Sequence, residues 1–332
     1  MNEPTLPGAP VPLTVLTGFL GAGKTTLLKR ILTGDHGLRA AVLINDFGAI
    51  NIDADLIVSV EENVVSLANG CVCCSIRDDL TAAIDDLIEL PQPPEYIILE
   101  ASGIADPASI AITFSIERDD PKVRLDSIIC VLDAEQLFET PDHMQLKQWQ
   151  IAPADLVLLN KVDLVDEAQI EKIESWMIEN FRRHRVIKTT QCDVPMEVLL
   201  GSGRFAPSHI EDDCREDACP ENDCAENHEH DTKAFKTWSY ETRSVLSLGA
   251  LEQVVRKLPA NIYRCKGVLN TVEQPGRRTI LQVVGKRVSF SDGGSWNQRE
   301  PISKIVVIAA NGELELSYLQ EQFDQCLACL FF

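Results

Sequence analysis

Cys71, Cys73 and Cys74 lie within four positions, after Asn69-Gly70 and ahead of a stretch with helical spacing. A thiol beside a metal or a cation gives up its proton, and the thiolate is a soft donor. A regular strand would send Cys73 and Cys74 to opposite faces. An irregular loop, loosened by Gly70, can instead turn all three sulfurs toward one centre. Three soft ligands with room for a fourth suit Zn²⁺; Cu(I), Ni²⁺ and Co²⁺ fit the same donor set. Two blander readings compete, small cysteines in a core and a redox pair that closes a transient disulfide.

A second constellation precedes the thiols. Gly18-Phe19-Leu20-Gly21-Ala22-Gly23-Lys24-Thr25-Thr26 has the spacing of a phosphate-binding loop, after an apolar strand and before a helix. Its glycines let backbone N–H groups face phosphate oxygens, and the helix N-terminus adds partial positive charge. The expected nucleotide contacts are Gly18, Gly21, Ala22, Gly23, Lys24, Thr25 and Thr26, with Lys24 on the β- and γ-phosphates and the Thr25 hydroxyl on Mg²⁺. Further on, Asn160-Lys161-Val162-Asp163 follows the apolar Leu156–Leu159. A carboxylate at Asp163 accepts hydrogen bonds from guanine that adenine cannot offer, which predicts GTP rather than ATP. Glu100, at the end of another apolar run and before Ala101-Ser102-Gly103, is placed to orient a Mg²⁺-bound water, with Gly103 letting the backbone approach the γ-phosphate. Asp46, before Phe47-Gly48, is a second carboxylate for the metal or the attacking water. The alternatives are a solvent-facing strand end for Glu100 and a plain turn for Asp46. Neither glutamine nor arginine is placed on that water, so intrinsic hydrolysis is expected to be slow.

These groups need a frame that gathers distant loops. From Leu13 to about Ile187, strand-like runs alternate with helical ones: Leu13–Thr17, Ala40–Asn45, Val64–Leu67, Tyr96–Glu100, Ser127–Leu132 and Leu156–Asn160, interleaved with Thr25–Leu32, Ile76–Leu90 and Glu167–Phe181. Such alternation predicts an α/β domain with a mostly parallel sheet, its ligands at the strand-to-loop edge. Alternation returns after Phe235, in Phe235–Glu241, Gly267–Val272, Ile280–Val284, Arg287–Phe290 and Ile305–Ala309, with helical patterns at Leu248–Leu258 and Glu315–Leu327. The expected division is a disordered tail over 1–12, a P-loop GTPase domain over 13–205, an acidic Cys/His linker over 206–233 and a smaller α+β domain over 234–332.

A formal charge of −21 over 332 residues argues against nucleic acid and anionic membranes as partners. The apolar fraction of 45% is ordinary for a globular chain, so the acidity belongs to the surface. Met1 to Pro12 carries four prolines and no apolar core of signal-peptide type, and no apolar run approaches a membrane span. A cytoplasmic setting is expected, where eleven cysteines serve as ligands, core residues or redox groups rather than as a disulfide framework.

Taken together, Thr17–Thr26, the run from Asn69 through Cys71, Cys73 and Cys74 to Leu80, Glu100–Pro107 and Asn160–Asp163 resemble the CobW-type family of metal-chaperone GTPases, which includes zinc chaperones. Tyr263-Arg264-Cys265-Lys266-Gly267 and Trp296 resemble that family's C-terminal domain. The resemblance implies GTP hydrolysis, Zn²⁺ held by Cys71, Cys73 and Cys74, and transfer of the metal to a client apo-metalloprotein. It leaves room for a homo-oligomer. Two departures stand out: Ala49 where relatives often carry a glutamate, which removes a carboxylate from the metal site, and Cys265 where alanine is common.

Between His209 and Asp231, acidic residues are interspersed with Cys214, Cys219, Cys224, His228 and His230. That composition reads equally as a weak metal collector and as a solvated linker. Cys326 and Cys329 have C-x-x-C spacing but sit among Leu and Phe, which favours buried helix cysteines. Other functional readings are cobalt or iron insertion for a cobalamin or nitrile-hydratase system, a non-catalytic metal buffer, and a redox-sensing GTPase switch.

Overall fold

The computed structural model describes residues 10–34, 37–45, 64–66, 75–105, 107–108, 110, 122–181, 184–200, 235–296, 300–310 and 316–328. The chain divides into two compact units, Met1–Ser202 and Gly203–Phe332. In the first, seven strands form one sheet: β1 (Val11–Thr17), β2 (Ala40–Asn45), β3 (Val64–Ser66), β4 (Tyr96–Ala101), β5 (Val123–Asp133), β6 (Leu156–Asn160) and β7 (Val186–Thr189). Their order is β3-β2-β4-β1-β5-β6-β7, and every pairing is parallel. Every residue of β4 and β6 is buried, because helices cover both faces of such a sheet. The sequence correspondingly reads as unbroken apolar runs rather than as alternation.

Helix α1 (Lys24–Thr33) buries Leu27, Leu28, Ile31 and Leu32. In α2 (Ser75–Ile88), Leu80, Ile84 and Leu87 recur at helical spacing and join the core. The 14-residue α4 (Glu167–Asn180) starts where the Asp166 carboxylate accepts from Gln169 N–H, and it buries Ile170, Ile173 and Met177. Between β5 and β6 lies the eight-residue α3 (Met144–Ile151), and after β7 the short α5 (Met196–Leu199).

Several boundaries differ from expectation. β1 begins at Val11, inside the segment expected to be a tail, because Val11 and Pro12 pair with β5. Pro12 is tolerated there since β4 joins β1 only from Leu13, so its missing N–H faces no strand on that side. β7 and α3 escape the sequence pattern altogether.

The second unit contains β8 (Phe235–Thr242), β9 (Ile262–Asn270), β10 (Arg277–Val284), β11 (Arg287–Ser295) and β12 (Ser303–Ala310), in the antiparallel order β11-β10-β9-β12-β8. Helices α6 (Leu248–Val255) and α7 (Leu316–Asp324) share its core through Leu251, Val255, Leu319 and Phe323. Cys265 and Cys326 are buried there too. Cys326 lies just past α7, its thiol donating to Gln322 O at 3.4 Å, where burial pushes its pKa up to about 11. Cys329 is outside the described residues. Among those described, no helix is long and apolar enough to cross a membrane.

Candidate nucleotide site

The turn between β1 and α1 depends on backbone that only glycine adopts without strain. Gly18, Gly21 and Gly23 have φ of 132°, 74° and 115°. A Cβ on Gly18 would fall 2.2 Å from Val131 O of β5, which lies directly beneath the loop. Lys24 opens α1 and is 7% exposed, with its ammonium donating to Gly18 O at 3.0 Å and Phe19 O at 3.4 Å. The loop's own carbonyls thus hold the cation at the seat an anionic phosphate would take. Cys130, on β5, is buried, and desolvation pushes its pKa to about 12 against a smaller opposing pull from Lys24. It is an inert thiol.

Thr25 Oγ1 donates to Glu100 Oε1 at 3.3 Å, joining α1 to the end of β4. Glu100 is 5% exposed and lines a cavity of about 290 Å³ with Gly21, Gly23, Lys24, Thr25 and Gly103. A hydroxyl and a carboxylate side by side, both hard oxygen donors, are a fitting set for Mg²⁺. Gly103 is packed so closely on the phosphate loop that a Cβ would come within 2.5 Å of Leu20 Cδ2. Ala22 is buried in the loop, and Thr26 is exposed in the first turn of α1.

On the other side of β1 and β5, Asn160 ends β6 and holds two elements at once. Its Nδ2 donates to Ala22 O and its Oδ1 accepts from Cys192 N–H, both at 2.9 Å. Lys161, in a left-handed conformation at φ 64°, pairs with Asp133 Oδ2 at 2.5 Å. Asp133 Oδ1 in turn accepts from Glu135 and Gln136 N–H. Asp163 is exposed in a 3₁₀ turn, Val162–Leu164.

Three contributors carry no local sequence signal. Cys192 is fully buried after β7, its thiol donating to Gly23 O at 3.4 Å, and desolvation pushes its pKa to about 12. Arg30 of α1 clamps the same turn, bonding Gln191 O at 2.8 Å and Asp193 Oδ1 at 2.7 Å. Lys147 of α3 donates to Gln136 O, Leu137 O and Thr140 Oγ1, each at 2.7 Å, and lies 5.2 Å from the Phe19 ring centroid. Burial lowers its pKa, with Asp133 opposing.

The structure therefore brings together Gly18, Gly21, Ala22, Gly23, Lys24, Thr25, Glu100, Gly103 and Asn160 on one edge of the sheet. Asp46, Cys71, Cys73 and Cys74 lie outside the described residues, as do Ala49 and the acidic stretch from His209 to Asp231. Among the described residues, no group of three His, Cys, Asp or Glu side chains could hold a metal.

A parallel sheet with this glycine loop between β1 and α1 has the P-loop GTPase fold. Comparison with known families places it further. Residues 12–188 match the model described as "CobW/HypB/UreG, nucleotide-binding domain", and residues 235–327 match "Cobalamin synthesis protein cobW C-terminal domain". The chain belongs to the CobW/HypB/UreG family. Among relatives, the zinc chaperone CobW of Pseudomonas aeruginosa is 30% identical over 353 residues, covering 96% of this chain and 92% of that protein. The zinc chaperone YjiA of Escherichia coli is 30% identical over 304 residues, covering 90% and 94%. The zinc-regulated GTPase metalloprotein activator 1 of Dictyostelium discoideum is 29% identical over 329 residues, covering 86% and 68%.

Proposed function

We propose that this protein is a GTP-hydrolysing metallochaperone that binds Zn²⁺ through Cys71, Cys73 and Cys74 and hands it to a client apo-metalloprotein. One observation carries the coupling of the two activities: β3 runs parallel to β2, β4 and β1 and ends on the edge that bears the phosphate loop. The sequence then passes directly into the cysteine motif. Family membership and relatives named as zinc chaperones and as a zinc-regulated GTPase support the same reading.

In this reading GTP and water give GDP and phosphate. Lys24 leaves Gly18 O and Phe19 O for the β- and γ-phosphate oxygens. Thr25 and Glu100 would hold Mg²⁺, which would supply charge neutralisation for the phosphates. Glu100, fixed by Thr25 at the end of a rigid strand, orients the attacking water. Asp163 selects guanine: Asp163→Ala is expected to shrink the preference for GTP over ATP by about 10²-fold or more, measured by competition binding. An unchanged preference would remove Asp163 from base reading.

Hydrolysis drives transfer only if zinc affinity differs between the nucleotide states. The test is zinc content and affinity with a slowly hydrolysed GTP analogue, with GDP, and with Cys73→Ala. Zinc is expected to be stoichiometric with the analogue, about tenfold or more weaker with GDP, and lost on substitution. Equal affinity in both nucleotide states would refute the coupling.

A further inference from the structure

Of the three residues that α3 buries, two are polar, Lys147 and Gln150. Burying polar groups on so short a helix costs stability unless they hold something. Lys147 is satisfied by three oxygens. Gln150 is different. It is 0% exposed, and its Nε2 donates to Gly103 O at 2.9 Å and, at 3.4 Å, to Ala105 O. Among the described residues its Oε1 is buried with no hydrogen-bond partner. The half that is satisfied holds the carbonyls of the turn from Gly103 to Ala105.

We infer that Gln150 is a positioning residue that fixes the Gly103 peptide against the nucleotide site and so sets the preference for a triphosphate over a diphosphate. The peptide is planar and trans, so holding Gly103 O on the α3 side fixes the orientation of the whole peptide plane at Gly103. Gly103 lines the cavity that Thr25 and Glu100 also line, and it touches Leu20 of the phosphate loop. A turn held there would present its backbone to the terminal phosphate, which GDP lacks. The inference rests on the GTPase reading above.

The experiment measures the affinity of the full chain for GDP and for a non-hydrolysable GTP analogue, with single-turnover hydrolysis alongside. Two variants are compared with wild type: Gln150→Met, which keeps the shape without the amide, and Gln150→Asn, one methylene too short to reach Gly103. Trp149→Ala, half-exposed on the same helix, controls for disturbance of α3. Both Gln150 variants are expected to bind GDP within about twofold of wild type and to lose about tenfold in analogue affinity and in turnover. Trp149→Ala should leave the analogue-to-GDP ratio unchanged. A wild-type ratio in either folded Gln150 variant, or equal weakening of both nucleotides, would overturn the inference. If wild type binds nucleotide without hydrolysing it, the GTPase reading fails, and the affinity ratio still decides the role of Gln150.

Discussion

Glu100→Gln is expected to slow single-turnover GTP hydrolysis by about 10²–10⁴-fold, the range lost with a positioned acid–base group. Its affinity for GDP should stay close to that of wild type. The carboxylate is buried at the end of β4, a strand paired on both sides by β1 and β2, so it has little freedom to be placed by anything but the sheet. Glutamine preserves the shape and can still accept from the Thr25 hydroxyl 3.3 Å away. It removes the charge proposed to orient the attacking water. Phosphate release measured with excess protein isolates this step from product dissociation. Wild-type turnover in the variant would take Glu100 out of the mechanism, and Asp46 would then be the carboxylate to replace.

Gly23→Ala is expected to weaken nucleotide binding by about 100-fold or more and to lower the melting temperature. The residue sits at φ 115°, where a side chain is strained by about 1–2 kcal/mol before it meets any neighbour. The added Cβ would then stand 2.5 Å from Asn160 Nδ2 and 3.2 Å from Cys192 Sγ. Asn160 cannot yield without releasing Ala22 O and Cys192 N–H, so the phosphate loop and the base-side turn would come apart together. Gly21→Ala is the comparison. At φ 74° with nothing within 4 Å of its Cβ, it incurs the backbone strain alone. Nucleotide titrations and thermal melts of the pair separate conformational strain from the steric effect. Equal behaviour of the two variants would mean that the Asn160 tie does not matter for binding.

What the sequence disclosed is what local pattern can carry. The glycine loop, Glu100 and Asn160 each close an apolar run, and a run buried on both faces leaves a mark in a single window of residues. Cys192 and Gln150 leave none, because their partners are 169 and 47 positions away in the chain. Helix α3 was illegible for a related reason: its inward face carries Lys147 and Gln150, so it lacks the apolar stripe by which a helix is recognised. β7 is four residues long and buries only alternate ones, too little to stand out. In the second unit, the expected strand from Gly267 begins earlier, at Ile262; its first residues include the fully buried Arg264, whose charge interrupts the apolar pattern in the sequence.

The order of the strands has a bearing on how such a protein can diversify. β3, which leads into the cysteines, and β7, which leads to the turn beside Asn160, are the two margins of the sheet, with five strands between them. At about 4.8 Å per strand, the margins are roughly 25–30 Å apart. In the proposed reading, the cysteine motif follows one margin in the chain, and the base-reading residues after β6 stand next to the other. On that reading, substitutions after β3 would alter the metal bound without touching the residues proposed to choose the nucleotide.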